Sequence, residues 1–244
     1  MTEQDPFLQD MHVHSTFSDG ANTIDENLEA AGQLGLVELT CVDHVRASTD
    51  WVPDYVDAVR TAARRSSLTV HCAVEAKILD TSGRLDLPPN LGQVDAIYAA
   101  DHQVPLEAGP VDPVLVRTAL TVGETTAKAV LDQLVTATCA TVQRYERVVV
   151  AHLFSVLPKL GLRESDVPLS LIEALADAVA GAGAKIEIDE RWRCPSPRTL
   201  RPFVTRGVPV LLSTDSHRRE TIGRYDYCAS VVRALRGRDT DTPF

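Results

Sequence analysis

The sequence predicts an α/β domain in which parallel strands alternate with helices, closed into a barrel or laid out as a doubly wound sheet. Three observations point there. Seven short apolar runs of strand length recur along the chain, and stretches of helical periodicity separate most of them. The 13 glycines and 14 prolines are dispersed, so no linker or repeat divides the 244 residues and one domain over 1–244 is expected. A composition 44% hydrophobic and 24% charged can fill a single large core without disulfide staples.

The elements follow in order. Leu8–Val13 reads as the first strand. Thr23–Leu34 reads as a helix with Thr23 as N-cap and Glu26 at capping-box spacing. Leu36–Val42 is the second strand, Asp54–Arg65 a helix, Leu68–Glu75 the third strand and Val94–Ala100 the fourth. A long helical stretch spans Pro113–Tyr145, broken near Gly123. Arg147–Ala151 is the fifth strand, Leu169–Gly181 a helix, Ala184–Ile188 the sixth strand and Pro197–Arg206 a helix. Val208–Ser213 is the seventh strand, and Tyr225–Leu235 closes the chain as a helix.

Composition excludes several function classes. A net charge of −10 with no Lys/Arg block argues against a long nucleic acid as partner. No apolar run approaches the roughly 20 residues needed to cross a bilayer, and the N-terminus lacks a secretory pattern. The five cysteines are odd in number, widely spaced and without a C-x-x-C pair, which points to buried thiols in a cytoplasmic protein. No pattern in the chain specifies an oligomeric state.

The histidines carry the functional signal. His12 and His14 close the first strand, His44 follows the second, His102 the fourth, His152 the fifth and His217 the seventh; the third strand ends with Glu75. His71 alone lies inside a strand, as a packed or hydrogen-bonded residue. In a parallel barrel all C-terminal strand ends face one mouth, where active sites are built. His12 and His14 stand at i and i+2, so both can reach one ion, and Asp215 and His217 repeat that spacing. Closure of a barrel would set those two pairs side by side, with Asp19 on the short loop nearby. A nitrogen and carboxylate donor set suits Zn, Mn or Fe, and nine ligands suit two or three ions.

The motifs DMHVHSTFSDG at 10–20, TCVDH at 40–44, EAK at 75–77, AH at 151–152 and STDSH at 213–217 resemble the PHP (polymerase and histidinol phosphatase) family, in order and over residues 10 to about 220. That resemblance implies a distorted (β/α)7 TIM-like barrel with a trinuclear metal centre. It implies one ion on His12, His14, Glu75 and Asp215, a second on Glu75, His102 and His152, and a third on Asp19, His44 and His217. Glu75 would bridge two of them. Departures from the family pattern at ADH (100–102), at Leu153 and at Asp189 flank the expected pocket.

The resemblance further implies a metal-dependent phosphomonoesterase, a hydrolase of a small phosphorylated metabolite such as histidinol phosphate. Three divalent ions outweigh the carboxylates of Asp19, Glu75 and Asp215 and would hold a phosphate despite the acidic chain. Glu75 and Asp215 are the expected catalytic carboxylates, and Arg218, beside His217, the expected phosphate contact. Arg46, Lys77 and Arg191 are the further candidates for substrate binding, ahead of Arg193 and Arg219. Asp189 or a metal-bound water is the candidate leaving-group acid. Phe17, Trp51 and Trp192 sit in loops where they can wall an organic leaving group. The near alternative is a nucleotide phosphatase or short-oligonucleotide exonuclease. An amidohydrolase-type C–N hydrolase also opens with H-x-H, but has no need of a site built from Asp19, His44 and His217.

Overall fold

The computed structural model describes residues 5–237. The chain runs through β1 (Gln9–Val13), α1 (Ile24–Gln33), β2 (Glu38–Val45), α2 (Val52–Ala63), β3 (Thr69–Lys77) and β4 (Ala96–Ala100). A short antiparallel hairpin, β5 (Val104–Leu106) and β6 (Gly109–Val111), precedes α3 (Pro113–Val122) and α4 (Ala127–Arg144). Then come β7 (Val148–Val150), α5 (Leu157–Leu160), α6 (Leu169–Gly181), β8 (Lys185–Asp189), α7 (Pro197–Thr205), β9 (Val210–Ser213) and α8 (Tyr227–Arg236).

Seven strands form one parallel sheet in the order β1-β2-β3-β4-β7-β8-β9. Its outer edges meet: the N–H of His14 donates to the carbonyl of Ser216 at 2.8 Å, and that of Ser216 to the carbonyl of His12 at 3.2 Å. The sheet is therefore a nearly closed barrel, not a doubly wound sheet, and it corresponds to a distorted (β/α)7 barrel. The register of β1 on β2 slips between Asp10 and Val13, where three residues oppose two.

Strand alternation separates two apolar layers. Outward residues such as Val74, Ile97, Val150, Ile186 and Leu212 pack beneath the helices. Inward residues Met11, Val42, Ala73, Tyr98, Ala100, Val149, Ala151 and Leu211 plug the barrel. Each fully buried aliphatic side chain contributes about 1.5–3 kcal/mol relative to exposure. The plug fills the floor, so polar inward residues one step further along the strands collect at the opposite mouth.

Local signals set the helix ends. Thr23 and Glu26 form the capping box, with Thr23 N–H to Glu26 Oε2 at 2.8 Å. The long helical stretch breaks into α3 and α4 because Gly123 takes φ 78°, and Thr126 caps the new start. The β5–β6 hairpin and α5 fall where the sequence pattern assigned nothing. All five cysteines are unbridged, and four are buried. Among the described residues no helix is long and apolar enough to cross a membrane.

Candidate metal centre

Pairing of β2 with β3 sets His44 opposite Glu75, and pairing of β3 with β4 sets Glu75 opposite Tyr98. His44 thus lies within β2, which runs on to Val45, and does not follow it as expected from the sequence. Backbone pairing is indifferent to the polarity of the side chain it carries, so the ladder continues through Asp43 and His44.

Glu75 stands at the centre of the mouth, 1% exposed, with its two oxygens facing different sets of imidazoles. Oε1 lies 3.0 Å from His102 Nε2 and 2.8 Å from His152 Nε2. Oε2 lies 2.9 Å from His44 Nδ1, 3.4 Å from His12 Nε2 and 3.5 Å from His14 Nε2. Asp215 Oδ1 is 3.0 Å from His14 Nε2. At the outer rim, half-exposed Asp19 places Oδ1 3.2 Å from His217 Nε2 and 3.7 Å from both His14 Nδ1 and His44 Nε2. All nine expected ligands are thus brought together at one mouth. His71 is apart from them, with Nε2 2.7 Å from Glu38 Oε1.

Neighbouring groups orient the rings. His12 Nδ1 is 3.1 Å from Glu187 Oε2, so Nδ1–H donates to the carboxylate and Nε2 faces the centre. Ser155 donates its hydroxyl hydrogen to Asp101 at 2.7 Å and can only accept from His152 Nδ1, at 2.9 Å, which fixes a proton on Nδ1 and turns Nε2 toward Glu75. Trp192 Nε1–H donates to Asp215 Oδ2 at 2.8 Å. His152 and Asp215 adopt left-handed backbone angles, φ 25° and 47°, which non-glycine residues adopt only under local constraint. The constraint on His152 is its N–H bonded to Glu187 Oε1 at 2.6 Å.

Two buried carboxylates tie down the loops. Asp43 accepts from the N–H and hydroxyl of both Ser15 and Ser18. Asp10 accepts from the N–H and hydroxyl of Thr214 and from the N–H of Gly223. Burial pushes each carboxyl up to about 6 against those hydrogen bonds.

The donor chemistry fits divalent cations. His14 Nδ1, Glu75 Oε2 and Asp215 Oδ1 are buried and, although ring nitrogens or carboxylate oxygens lie close by, none makes an aligned hydrogen bond, which is costly unless a cation satisfies them. His12 and His14 point their Nε2 atoms at one another at 3.1 Å, as two ligands of a common point would. Burial works against ionisation of Glu75, but His102 and the other facing imidazoles outweigh it and hold the carboxyl well below its ordinary value. Burial pushes His14 down to about 4, which keeps it a neutral donor. Within 4.8 Å, His14, Asp19, His44 and His217 form one candidate group, His12, His14 and Asp215 a second, and His44, Glu75 and His102 a third. His12, Glu187 and Asp189 form a fourth, fully buried group.

Above the cluster opens a cavity of about 730 Å³. Its lining includes Arg46, Lys77, Lys159 and Arg191, with Phe17, Trp51 and Trp192 as aromatic walls. Arg191 Nη1 is 3.3 Å from Asp215 Oδ2 and 3.1 Å from His217 Nε2. Arg218 lines an adjoining 360 Å³ cavity with Arg224, beside Asp215 and His217. Arg193 lies over the Tyr227 ring and Arg219 beside Glu220, and neither lines the main cavity. Asp189 is completely buried, accepts the N–H of Trp192 and does not reach the cavity, so it cannot serve a leaving group there.

Sequence reasoning passed over Glu187, Ser155 and Lys159. Glu187 had a signal: a charged residue alternating with Ile186 and Ile188 two places before Asp189 must face the interior. Asp101 and Trp192 were visible but without their roles. Lys159 had none, because α5 is a single turn after an irregular loop.

Comparisons with known proteins agree with this geometry. The fold is shared with histidinol phosphate phosphatase of Lactococcus lactis subsp. lactis, determined with zinc, L-histidinol and phosphate: TM-score 0.64 at 18% identity, over 93% of this chain and 91% of that one. It is also shared with a candidate histidinol phosphatase of Listeria monocytogenes, TM-score 0.60 at 14% identity over 88% and 97%. A probable phosphatase of Clostridium acetobutylicum is 31% identical over 113 residues, 43% of this chain. The matched stretch spans 45% of that relative's length. The PHP domain model matches residues 10–151, more than half of the chain and the stretch that carries His12 through Ala151. On that match, and with the barrel mouth built as described, the chain belongs to the PHP domain family.

Proposed function

We propose that the protein is a metal-dependent phosphomonoesterase that hydrolyses a small phosphorylated metabolite at a centre of three divalent ions, Zn, Mn or Fe. The observation that carries this reading is Glu75, whose two oxygens face separate imidazole sets at 2.8–3.5 Å, the placement of a bridging carboxylate. His12, His14 and Asp215 would hold one ion with Glu75, His102 and His152 a second with Glu75, and Asp19, His44 and His217 a third. Ions bound there would supply Lewis acidity and activate a water for attack on phosphorus.

The chain's own residues do the rest. Glu187 and Ser155 hold His12 and His152 in the tautomers that present Nε2. Trp192 holds Asp215 by one oxygen and leaves the other toward His14. Arg191, at the edge of Asp215, is placed to bind phosphate oxygens as charge develops on them. Lys159, with Nζ 4.6 Å above the Trp192 ring, adds a second cation on that flank. Phe17 and Trp51, ring centroids 5.5 Å apart, wall the organic part and exclude water.

Histidinol phosphate is one candidate ester, supported by the L-histidinol and phosphate held in the Lactococcus neighbour of the same fold. The test is a phosphatase screen of the manganese- or zinc-loaded chain against small phosphate monoesters, with elemental analysis of the same preparation. About three ions per chain and inorganic phosphate release are expected. One ion or fewer after supplementation would remove the three-ion centre, and no phosphate release would remove the activity.

A further inference from the structure

We propose that the substrate carries a second anionic group, on its leaving-group side, and that Arg46 and Lys77 hold it. This rests on the phosphomonoesterase reading and names the class of ester. The observation is the distribution of charge around the cavity once the nine candidate ligands are set aside. Four cations line it, Arg46, Lys77, Lys159 and Arg191, against one acid, Asp86. These cations stand on two flanks of the mouth.

The barrel order separates them. Lys159 follows β7 and Arg191 follows β8, whereas Arg46 follows β2 and Lys77 ends β3, across the mouth. Arg191 lies against Asp215, so its flank is that of the scissile phosphate. The β2–β3 wall then faces the remainder of the substrate. Lys77 stands two residues beyond Glu75 on the same strand and shares its inward face. The Phe17 and Trp51 rings line the same cavity and offer a surface for the organic body between the two charged ends.

The wall keeps a net positive charge. Asp86 Oδ1 accepts the N–H of Ala47 at 2.8 Å and its Oδ2 pairs with Lys77 Nζ at 3.7 Å, so a single carboxylate stands against two cations. Among the described residues the Arg46 guanidinium has no carboxylate partner. An ammonium-bearing leaving group, histidinol among them, would meet a single, shared carboxylate between two cations, so this proposal counts against histidinol phosphate as the ester. A carboxylate or second phosphate there would instead meet both cations.

The test compares three aryl phosphates whose phenol leaving groups differ little in acidity: 4-methylphenyl phosphate, 4-(carboxymethyl)phenyl phosphate and 4-(aminomethyl)phenyl phosphate. Each is assayed on the manganese-loaded full chain at low ionic strength. The anionic ester is expected to exceed the cationic one in kcat/KM by about tenfold or more, with the neutral ester between them. Added salt should narrow that gap. Charge reversal in R46E/K77E should invert the order while bound metal, measured by elemental analysis, stays as in the wild type. Should the double variant lose metal, R46Q alone carries the comparison, because Arg46 touches none of the candidate ligands, and it should narrow the gap. Equal rates for the three esters, preference for the amine, or an anionic preference undiminished in R46Q overturns the proposal and leaves the phosphomonoesterase reading standing. Failure to hydrolyse all three removes that reading and this proposal with it.

Discussion

Glu187 grips His12 through one oxygen, at 3.1 Å from its Nδ1, while its other oxygen takes the backbone N–H of His152 at 2.6 Å. A single buried carboxylate on β8 therefore aligns donors from opposite parts of the barrel. Burial disfavours a charged His12 imidazole, but Glu187 and then Glu75 outweigh it and raise its pKa.

The first prediction follows from that grip. Glu187→Gln keeps the shape but removes the charge and lets the amide donate to His12 Nδ1, which moves the ring proton to Nε2, the nitrogen that faces the centre. Metal affinity should fall about 10- to 100-fold, the usual cost of losing an orienting partner of a ligand. Competition with a chelator measures it, and circular dichroism checks that the barrel survives. Unchanged affinity would mean that Glu187 is only structural filling.

Gly20 supplies the second. A Cβ there would lie 2.6 Å from the carbonyl carbon and oxygen of His14 and 2.7 Å from the N of Ser15, all backbone atoms that cannot rotate away. Gly20→Ala should open the Ser15–Gly20 turn and swing Asp19 off the rim, at a cost of about 1–3 kcal/mol. We expect loss of the ion assigned to Asp19 together with a lowered Tm. Asp19→Ala should lose that ion without the drop in Tm. An alanine variant with normal metal content and Tm would show that the turn is slack.

The third concerns pH and lies far from the centre. Asp95 accepts the N–H of Cys72 at 2.8 Å and Arg60 Nη2 at 2.7 Å, which pins the start of β4 to α2 and β3. Burial works to raise its pKa, but Arg60 and the amide prevail and the net shift is downward. A carboxyl depressed in the folded state stabilises above its unfolded value of about 4, and that contribution disappears as pH falls through the folded value. The Tm gap between wild type and Asp95→Asn should therefore be largest near neutrality and close below about pH 4. A gap that stays constant with pH would assign Asp95 a packing role.

Much of this architecture was legible in the sequence because it rests on local patterns. The seven strands show as apolar runs, and the capping box at Thr23 and the break at Gly123 are local chemistry. The donors His12, His14, Glu75, His152 and Asp215 are readable because ends of parallel strands must meet at one mouth. What escaped depends on tertiary placement. The slip of β1 on β2 lies next to the bridge from Val13 to Ser216, and no residue type within β1 signals it. Lys159 reaches the cavity through a one-turn helix with no pattern of its own. Asp189 looked available at a strand end, yet strand pairing and Trp192 bury it.

Arg218 and Arg191 put that difference to a measurement. Chain adjacency to His217 favoured Arg218 as the phosphate contact, but Arg191 lines the main cavity, as Arg218 does not, and lies 3.3 Å from Asp215 Oδ2. Arg218 lines the neighbouring cavity with Arg224. A planar fork can hold two phosphate oxygens, so losing it should cost about ten- to a thousandfold in turnover of a phosphate ester. We expect Arg191→Ala to show that loss and Arg218→Ala a smaller one. Arg191→Lys should recover only part, since an ammonium keeps the charge but not the fork. Bound metal should stay at the wild-type level in all three, because an arginine does not ligate a cation. Steady-state kinetics, phosphate inhibition and elemental analysis on the same preparations decide it. A larger loss in Arg218→Ala than in Arg191→Ala would move the phosphate toward the Arg218–Arg224 cavity, which Arg191 also lines.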